Sequence, residues 1–215
     1  MIYVTGDTHG DLNRFKHPMF RKIKKRDILI ICGDFGFIWD GDANPKEKRV
    51  LKWLGKRRYE VLFVDGVHEN FAELEKYEVE NWNGGKTRKI SGKLRQLIRG
   101  HVFDLGGKKV LAFGGGQYQA KQEDFDLASQ SLSKHDYKID YIVSHEPPTQ
   151  LTELLTAKSG AENDNLSYFL DEISRKTDYK RWFFGRHHIN KVVASKYFAL
   201  FDNVISTEYD PATKK

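Results

Sequence analysis

Five short segments of this 215-residue chain place aspartate or histidine directly after an apolar run. They are Gly6-Asp7-Thr8-His9-Gly10, Cys32-Gly33-Asp34, Asp65-Gly66-Val67-His68-Glu69-Asn70, Ser144-His145-Glu146-Pro147-Pro148 and Gly185-Arg186-His187-His188. Asp7 and His9, two residues apart between glycines, can turn toward a single ion. Asp34 adds a carboxylate with enough lone pairs to bridge two cations, and His145 and His188 add imidazole nitrogens. A mixed nitrogen and oxygen donor set favours Mn, Fe or Zn over Ca or Mg. The reaction such a set suits is metal-assisted hydrolysis. A lone Asp-x-His or Gly-Asp at a turn usually does no more than bond its own backbone. The joint recurrence is what points to a site.

The runs that precede these clusters must bring them together. Ile2-Tyr3-Val4, Ile28-Leu29-Ile30-Ile31, Val61-Leu62-Phe63-Val64, Val110-Leu111-Ala112-Phe113, Tyr141-Ile142-Val143 and Trp182-Phe183-Phe184 are short, apolar and rich in β-branched or aromatic residues, as strands covered on both faces are. Helical spacing of Val50, Leu51 and Leu54 predicts a helix over 44–56, and Leu166, Phe169, Leu170 and Ile173 predict another over 165–174. The alternation reads as α/β. In such folds the carboxyl ends of parallel strands share one rim, so the five clusters should meet there. Glycine pairs and triplets at 84–85, 106–107 and 114–116 make 87–113 look like hairpins, so the core should be a mixed or two-sheet one. The stretch 117–136 is polar and reads as a surface loop or marginal helix that would set substrate choice.

Composition narrows the function classes. With 39% hydrophobic and 13% aromatic residues, disorder and low-complexity architectures are excluded. Length favours one domain over 1–209, with 210–215 as a frayed tail. A lone cysteine, Cys32, cannot form an internal disulfide and reads as core packing; with no leader before the first strand, the expected location is the cytoplasm. The longest apolar run, Ile28–Cys32, is far short of the roughly 20 residues a membrane span needs.

Thirty-six Lys and Arg against 30 Asp and Glu leave a net charge of +6, which suits phosphorylated substrates and permits nucleic acid without favouring it. The basic run Arg21, Lys22, Lys24, Lys25 and Arg26 reads as a solvated face. His17, His101 and His135 read as surface or turn residues. Trp39, Trp53, Trp82 and Trp182 read as core or rim packing. Phe35, Phe37 and Trp39 are expected as exposed aromatics beside the rim, able to form a contact surface.

The motif series Asp7-Thr8-His9, Gly33-Asp34, Gly66-Val67-His68-Glu69, His145 and Gly185-Arg186-His187-His188 resembles that of the calcineurin-like metallophosphoesterases, small bacterial and phage-type members in particular. The family pattern is Asp-x-His, Gly-Asp, Gly-Asn-His-Asp/Glu, His, then Gly-His-x-His. The resemblance implies a two-sheet mixed β-sandwich flanked by helices. It also implies one metal on Asp7, His9, Asp34 and His188, which would polarise a phosphoryl oxygen and acidify water. A second metal would share Asp34 with His145, but its other two ligand positions are Val67 and Arg186. Neither valine nor guanidinium has a lone pair to give, so the second ion should be weak or absent.

Arg186 would then stand in for that ion and clamp phosphate. His68 would assist the leaving group, held by Glu69 or Asp34. His187, next to Arg186 on an extended segment, would face away. The substrate implied is a phosphomonoester or phosphodiester on a small molecule, nucleotide or phosphoprotein. The alternative is a pseudo-enzyme that binds a phosphorylated ligand or partner protein.

Overall fold

The structure, a computed structural model, describes residues 1–156 and 164–213. Strands β1 (Ile2–Thr5), β2 (Ile28–Cys32), β3 (Glu60–Val64), β4 (Val79–Trp82), β5 (Gly85–Ser91) and β6 (Leu94–Leu97) build the first sheet. Strands β7 (His101–Leu105), β8 (Lys108–Phe113), β9 (Tyr141–Ser144), β10 (Arg181–Phe184), β11 (Lys191–Val193) and β12 (Tyr197–Ala199) build the second; β13 (Val204–Ser206) returns to the first. The spatial orders are β13-β1-β2-β3-β6-β5-β4 and β11-β12-β10-β9-β8-β7. β1, β2, β3 and β6 are parallel neighbours, as are β8, β9, β10 and β12. The expected α/β two-sheet sandwich is therefore the fold.

Strand alternation explains why whole strands are buried. In β2, Ile28, Ile30 and Cys32 face the second sheet and join Leu62, Val64, Phe103, Val143 and Phe183 between the layers. Leu29 and Ile31 face the other way, with Val61 and Phe63, against Leu51 and Leu54 of helix α2 (Pro45–Gly55). α1 (Pro18–Lys22) lies on that same outer side, and α3 (Phe71–Leu74) follows the β3 turn. Asn44 caps α2 by accepting from Lys46 N and Glu47 N, and Pro45 starts it. Helices α4 (Gln122–Ser133), α5 (Thr149–Thr156) and α6 (Asn165–Lys176) cover the second sheet.

Three expectations are corrected. The stretch 117–136 contains a three-turn helix, α4, whose Phe125, Ala128 and Leu132 pack against Phe113 and Phe169. Its apolar face is built partly from alanine and backbone-near atoms, which is why the polar sequence hid it. Phe35 and Phe37 are core residues, Phe35 stacked on Phe63 and edge-to-face with Phe37, and only Trp39 is exposed. His101 sits in β7 edge-on to Phe103, with Nε2 buried and without a hydrogen-bond partner, rather than at the surface. His17 caps α1, and Trp182 is fully buried. Of the expected tail 210–215, residues 211–213 form one 3₁₀ turn, and 214–215 lie outside the described residues. No described helix is long and apolar enough to cross a membrane.

Candidate metal centre

The parallel register brings the loops after β1, β2, β3, β9 and β10 to one rim. Those after β1 and β2 are zipped together: Thr8 N and His9 N both donate to Asp34 O, at 3.1 and 2.8 Å, and Gly10 N donates to Phe35 O at 3.0 Å. From the third loop, His68 N and Nδ1 donate to Asp34 Oδ1 and Oδ2, each at 2.8 Å. Two glycines allow this closeness: a Cβ on Gly66 would overlap Asp34 Oδ1, and one on Gly185 would overlap Asp7 Oδ1.

One ligand atom from each of Asp7, His9, Asp34 and His188 lies within 4.8 Å of the other three. His9 Nε2 is 3.0 Å from His188 Nε2 and 3.9 Å from Asp34 Oδ2; His188 Nε2 is 3.1 Å from Asp7 Oδ2. Four donors on one small ion at about 2.1 Å would sit about 3.4 Å apart, so the group fits a divalent cation. Asp7 supports that fit independently. It is fully buried, and neither carboxylate oxygen has a hydrogen-bond partner. A buried carboxylate costs several kcal/mol, on the order of its desolvation penalty, unless a cation meets it, here a metal ion or the protonated His145 at 3.5 Å.

Backbone strain is concentrated here. His9, Asp34, Arg186 and His188 have φ of +46°, +36°, +52° and +51°, a region costing side-chain-bearing residues about 1–3 kcal/mol each. The segment after β10 is therefore a turn and not extended, so the alternation argument for His187 fails. His187 lines a cavity next to the centre, and burial lowers its pKa, helped by Arg186 and His145.

His145 is fully buried beside the four-ligand group, with Nδ1 3.5 Å from Asp7 Oδ1 and Nε2 3.9 Å from Asp34 Oδ1. Its Nε2 has no hydrogen-bond partner. The two positions that depart from the motif lie on this side. Arg186 Nε pairs with Glu146 Oε1 at 2.7 Å, and Val67 lies beside Gly116. These side chains, with His68 and Pro147, line part of a cavity of about 790 Å³ that opens toward α5 and α6.

His68 takes Asp34 as its partner; Glu69 instead accepts from Phe35 N at 2.6 Å and Gly36 N at 3.2 Å, tying the second loop to the third. Two supports escaped the sequence reading. Arg14 donates to Asp7 O at 2.6 Å and lies over Phe201, whose ring also stacks on His188 at 4.9 Å. Neither has a motif signal. Glu146 has one, its place directly after His145.

The half-buried acid Glu69 and the buried imidazole His145 set a pH dependence. Burial dominates at Glu69 and, with Asp65 and Asp34 nearby, outweighs the donated N–H bonds to raise its pKa from 4.5 to about 8. Burial alone would lower His145, but the Asp7 carboxylate 3.5 Å away, then Asp34 and Glu146, prevail and raise it from 6.5 to about 9. Both groups bind protons more tightly folded than unfolded. Glu69's contribution to stability is full below about pH 4.5 and is lost as pH rises through about 8; His145's is full below about 6.5 and lost through about 9. In chelator, these two groups make the urea midpoint fall as pH rises, against the opposite pull of His9, His101 and His187, whose pKa values burial lowers; Glu69→Gln should therefore shift the pH dependence between about 5 and about 8 toward a rising midpoint. An unchanged pH dependence in Glu69→Gln contradicts the assignment of Glu69.

Residues 1–193 match the family model described as calcineurin-like phosphoesterase. No curated protein matches the chain in sequence. Among solved structures, the chain is similar to a candidate 5'-nucleotidase from Staphylococcus aureus, solved in complex with alpha-ketoglutarate, with a TM-score of 0.50 and 14% identity. The likeness covers 96% of this chain and 51% of that one, so this chain spans about half its length. At that identity the likeness speaks to fold alone.

Proposed function

Because the chain belongs to the calcineurin-like phosphoesterase family, we propose that it hydrolyses phosphoesters with one divalent transition-metal ion held by Asp7, His9, Asp34 and His188. The observation that carries this reading is the convergence of those four ligand atoms within 4.8 Å. The nitrogen and oxygen mixture favours Mn, Fe or Zn. When bound, such an ion supplies Lewis acidity toward a phosphoryl oxygen and acidifies water.

The rest of the chemistry falls to the chain's own side chains. Asp34 fixes His68 through Nδ1, which leaves Nε2 as the nitrogen that can give a proton to a departing oxygen. Glu146 holds Arg186 by Nε, so the terminal amino groups of the guanidinium are the ones offered to phosphoryl oxygens. Val67 contributes no ligand, and Asp34 with His145 keeps only half of a second ion's donors. The cavity of about 790 Å³ suits the organic part of a phosphorylated small molecule or nucleotide.

The pairing of Arg186 with Glu146 also favours a second reading, in which the site binds a phosphorylated ligand without cleaving it. Phosphate release from generic mono- and diesters with Mn²⁺, beside a metal count, separates the two. The catalytic reading expects metal-dependent turnover that falls on the order of 10²–10⁴-fold in His68→Ala while metal content stays at one ion. No turnover with one ion bound leaves the binder, and no bound ion removes both.

A further inference from the structure

The basic run lies on the edge of the first sheet opposite the metal centre. β2 and β3 are parallel and in register from Ile28 with Glu60, and β3 pairs with β6 from Val61 with Leu94. The loops entering these three strands are therefore side by side. They carry Lys24, Lys25 and Arg26 in the first, Lys56, Arg57 and Arg58 in the second, and Lys93 in the third. Arg58 locks them together, donating through Nε to Ile23 O and through NH2 to Arg21 O, both at 2.7 Å, while its carbonyl accepts from Lys93 Nζ at 3.0 Å.

The two acids at these loops are already engaged. Asp27 is engaged by the N-terminal ammonium at 3.1 Å, and Glu60, at the start of β3, by Arg95 at 2.9 Å. Among the described residues, none of the seven loop cations has an ion-pair partner within 4 Å. The Arg57 guanidinium carbon lies over Trp53 at 3.3 Å from its centroid, its Nε buried without a partner, and Trp53 is 42% exposed. Beside this stack, Arg21 and Lys56 line a hollow of about 470 Å³.

We propose that this edge binds single-stranded nucleic acid through its phosphates. A strip of cations over three adjacent loops, strands about 4.8 Å apart, matches a repeating anion better than a single phosphate. Arginine forks suit phosphate oxygens, and a guanidinium stacked on a half-open indole offers a planar face to a base. The five-residue lengths of β2 and β3 put roughly 16 Å between this edge and the metal centre. Binding here is independent of the hydrolytic site.

Fluorescence anisotropy of the full chain with a labelled oligothymidylate of about 20 nucleotides tests this. The expected result is saturable binding, indifferent to chelator. Its affinity should fall roughly fiftyfold between about 50 and about 200 mM salt if four phosphates are neutralised, at a log–log slope of about −0.7 each. Lys24→Glu/Lys25→Glu/Arg26→Glu should weaken it by about tenfold or more. Lys86→Glu/Lys134→Glu/Lys138→Glu, with the same net charge but reversed elsewhere, should cost far less. Should the first triple variant misfold by circular dichroism, Lys25→Glu/Lys56→Glu gives the same comparison. No binding at low salt, equal loss in both charge reversals, abolition by chelator, or binding of anionic vesicles or polyglutamate in place of the oligonucleotide would each overturn it.

Discussion

Asp34→Asn will leave the protein folded but stripped of metal, with phosphoesterase activity reduced to background. The carboxylate supplies one of the four converging ligand atoms. It also accepts two hydrogen bonds from His68, one on each oxygen. Burial alone would raise its pKa, but the charge of His145 and the two bonds from His68 prevail and hold it below the usual carboxylate value, so the native group is the anion. An amide has only one acceptor. Whichever way it sits, its NH₂ meets either the His68 N–H or the Nδ1 that Asp34 normally fixes, and the imidazole must change tautomer or turn away. Losing a partner that merely orients a ligand typically costs 10–100-fold in metal affinity, so losing a charged ligand should cost more than about a hundredfold. Metal analysis after dialysis, with urea denaturation to verify folding, reads the result. A full complement of metal in Asp34→Asn would remove the proposed centre.

How far the sequence led is best seen at the strand ends. The register pairs Cys32 with Val64 and Phe184 with Ser144, so the residues just beyond each pair are neighbours by geometry. Recognising the apolar runs as parallel strands was enough to bring the five clusters to one rim; the register sets Asp34 beside Gly66 and His145 beside Gly185. The same rule, carried one residue further, sets Arg186 beside Glu146. It went unused because strand order, unlike strand identity, is not written in a hydrophobic run. The left-handed turns at His9, Asp34, Arg186 and His188 were illegible for another reason. Side-chain-bearing residues rarely adopt them, so nothing in the residue types announces them. Helix α4 was hidden because Ala128 counts as core only once Phe113 and Phe169 lie beneath it.

The partner choice of His68 shows where residue types run out. Glu69 is adjacent in sequence and acidic, yet its carboxylate turns to the backbone of Phe35 and Gly36. Buried N–H groups of a strand-end loop need an acceptor, and Glu69 supplies it to Phe35 and Gly36. Asp34, a strand away, is left for the imidazole. This division also explains why one carboxylate is raised to about 8 and the other lowered: the first faces other acids in a dry loop, the second faces histidines.

Val67→Asn/Arg186→His is expected to raise the metal count from one ion per chain to two and to increase turnover on the order of tenfold to a hundredfold. Half of the second site is already present. His145 Nε2 is buried, without a hydrogen-bond partner and 3.9 Å from Asp34 Oδ1, and Asp34 has lone pairs for a second cation. What is absent is two neutral donors, and what is in the way is a permanent positive charge. Removing the guanidinium frees Glu146, whose pKa burial already raises despite His145 and Arg186; without that arginine the carboxyl takes a proton more readily, which limits the cost of stranding it. Arg186→Ala separates the two effects. It deletes the clamp and adds no ligand, so its metal count should stay at one and its rate should fall. If the double variant folds and still binds one ion, Arg186 and Val67 are not what closes the second site, and His145 is held for another purpose, with His187 the next donor to replace.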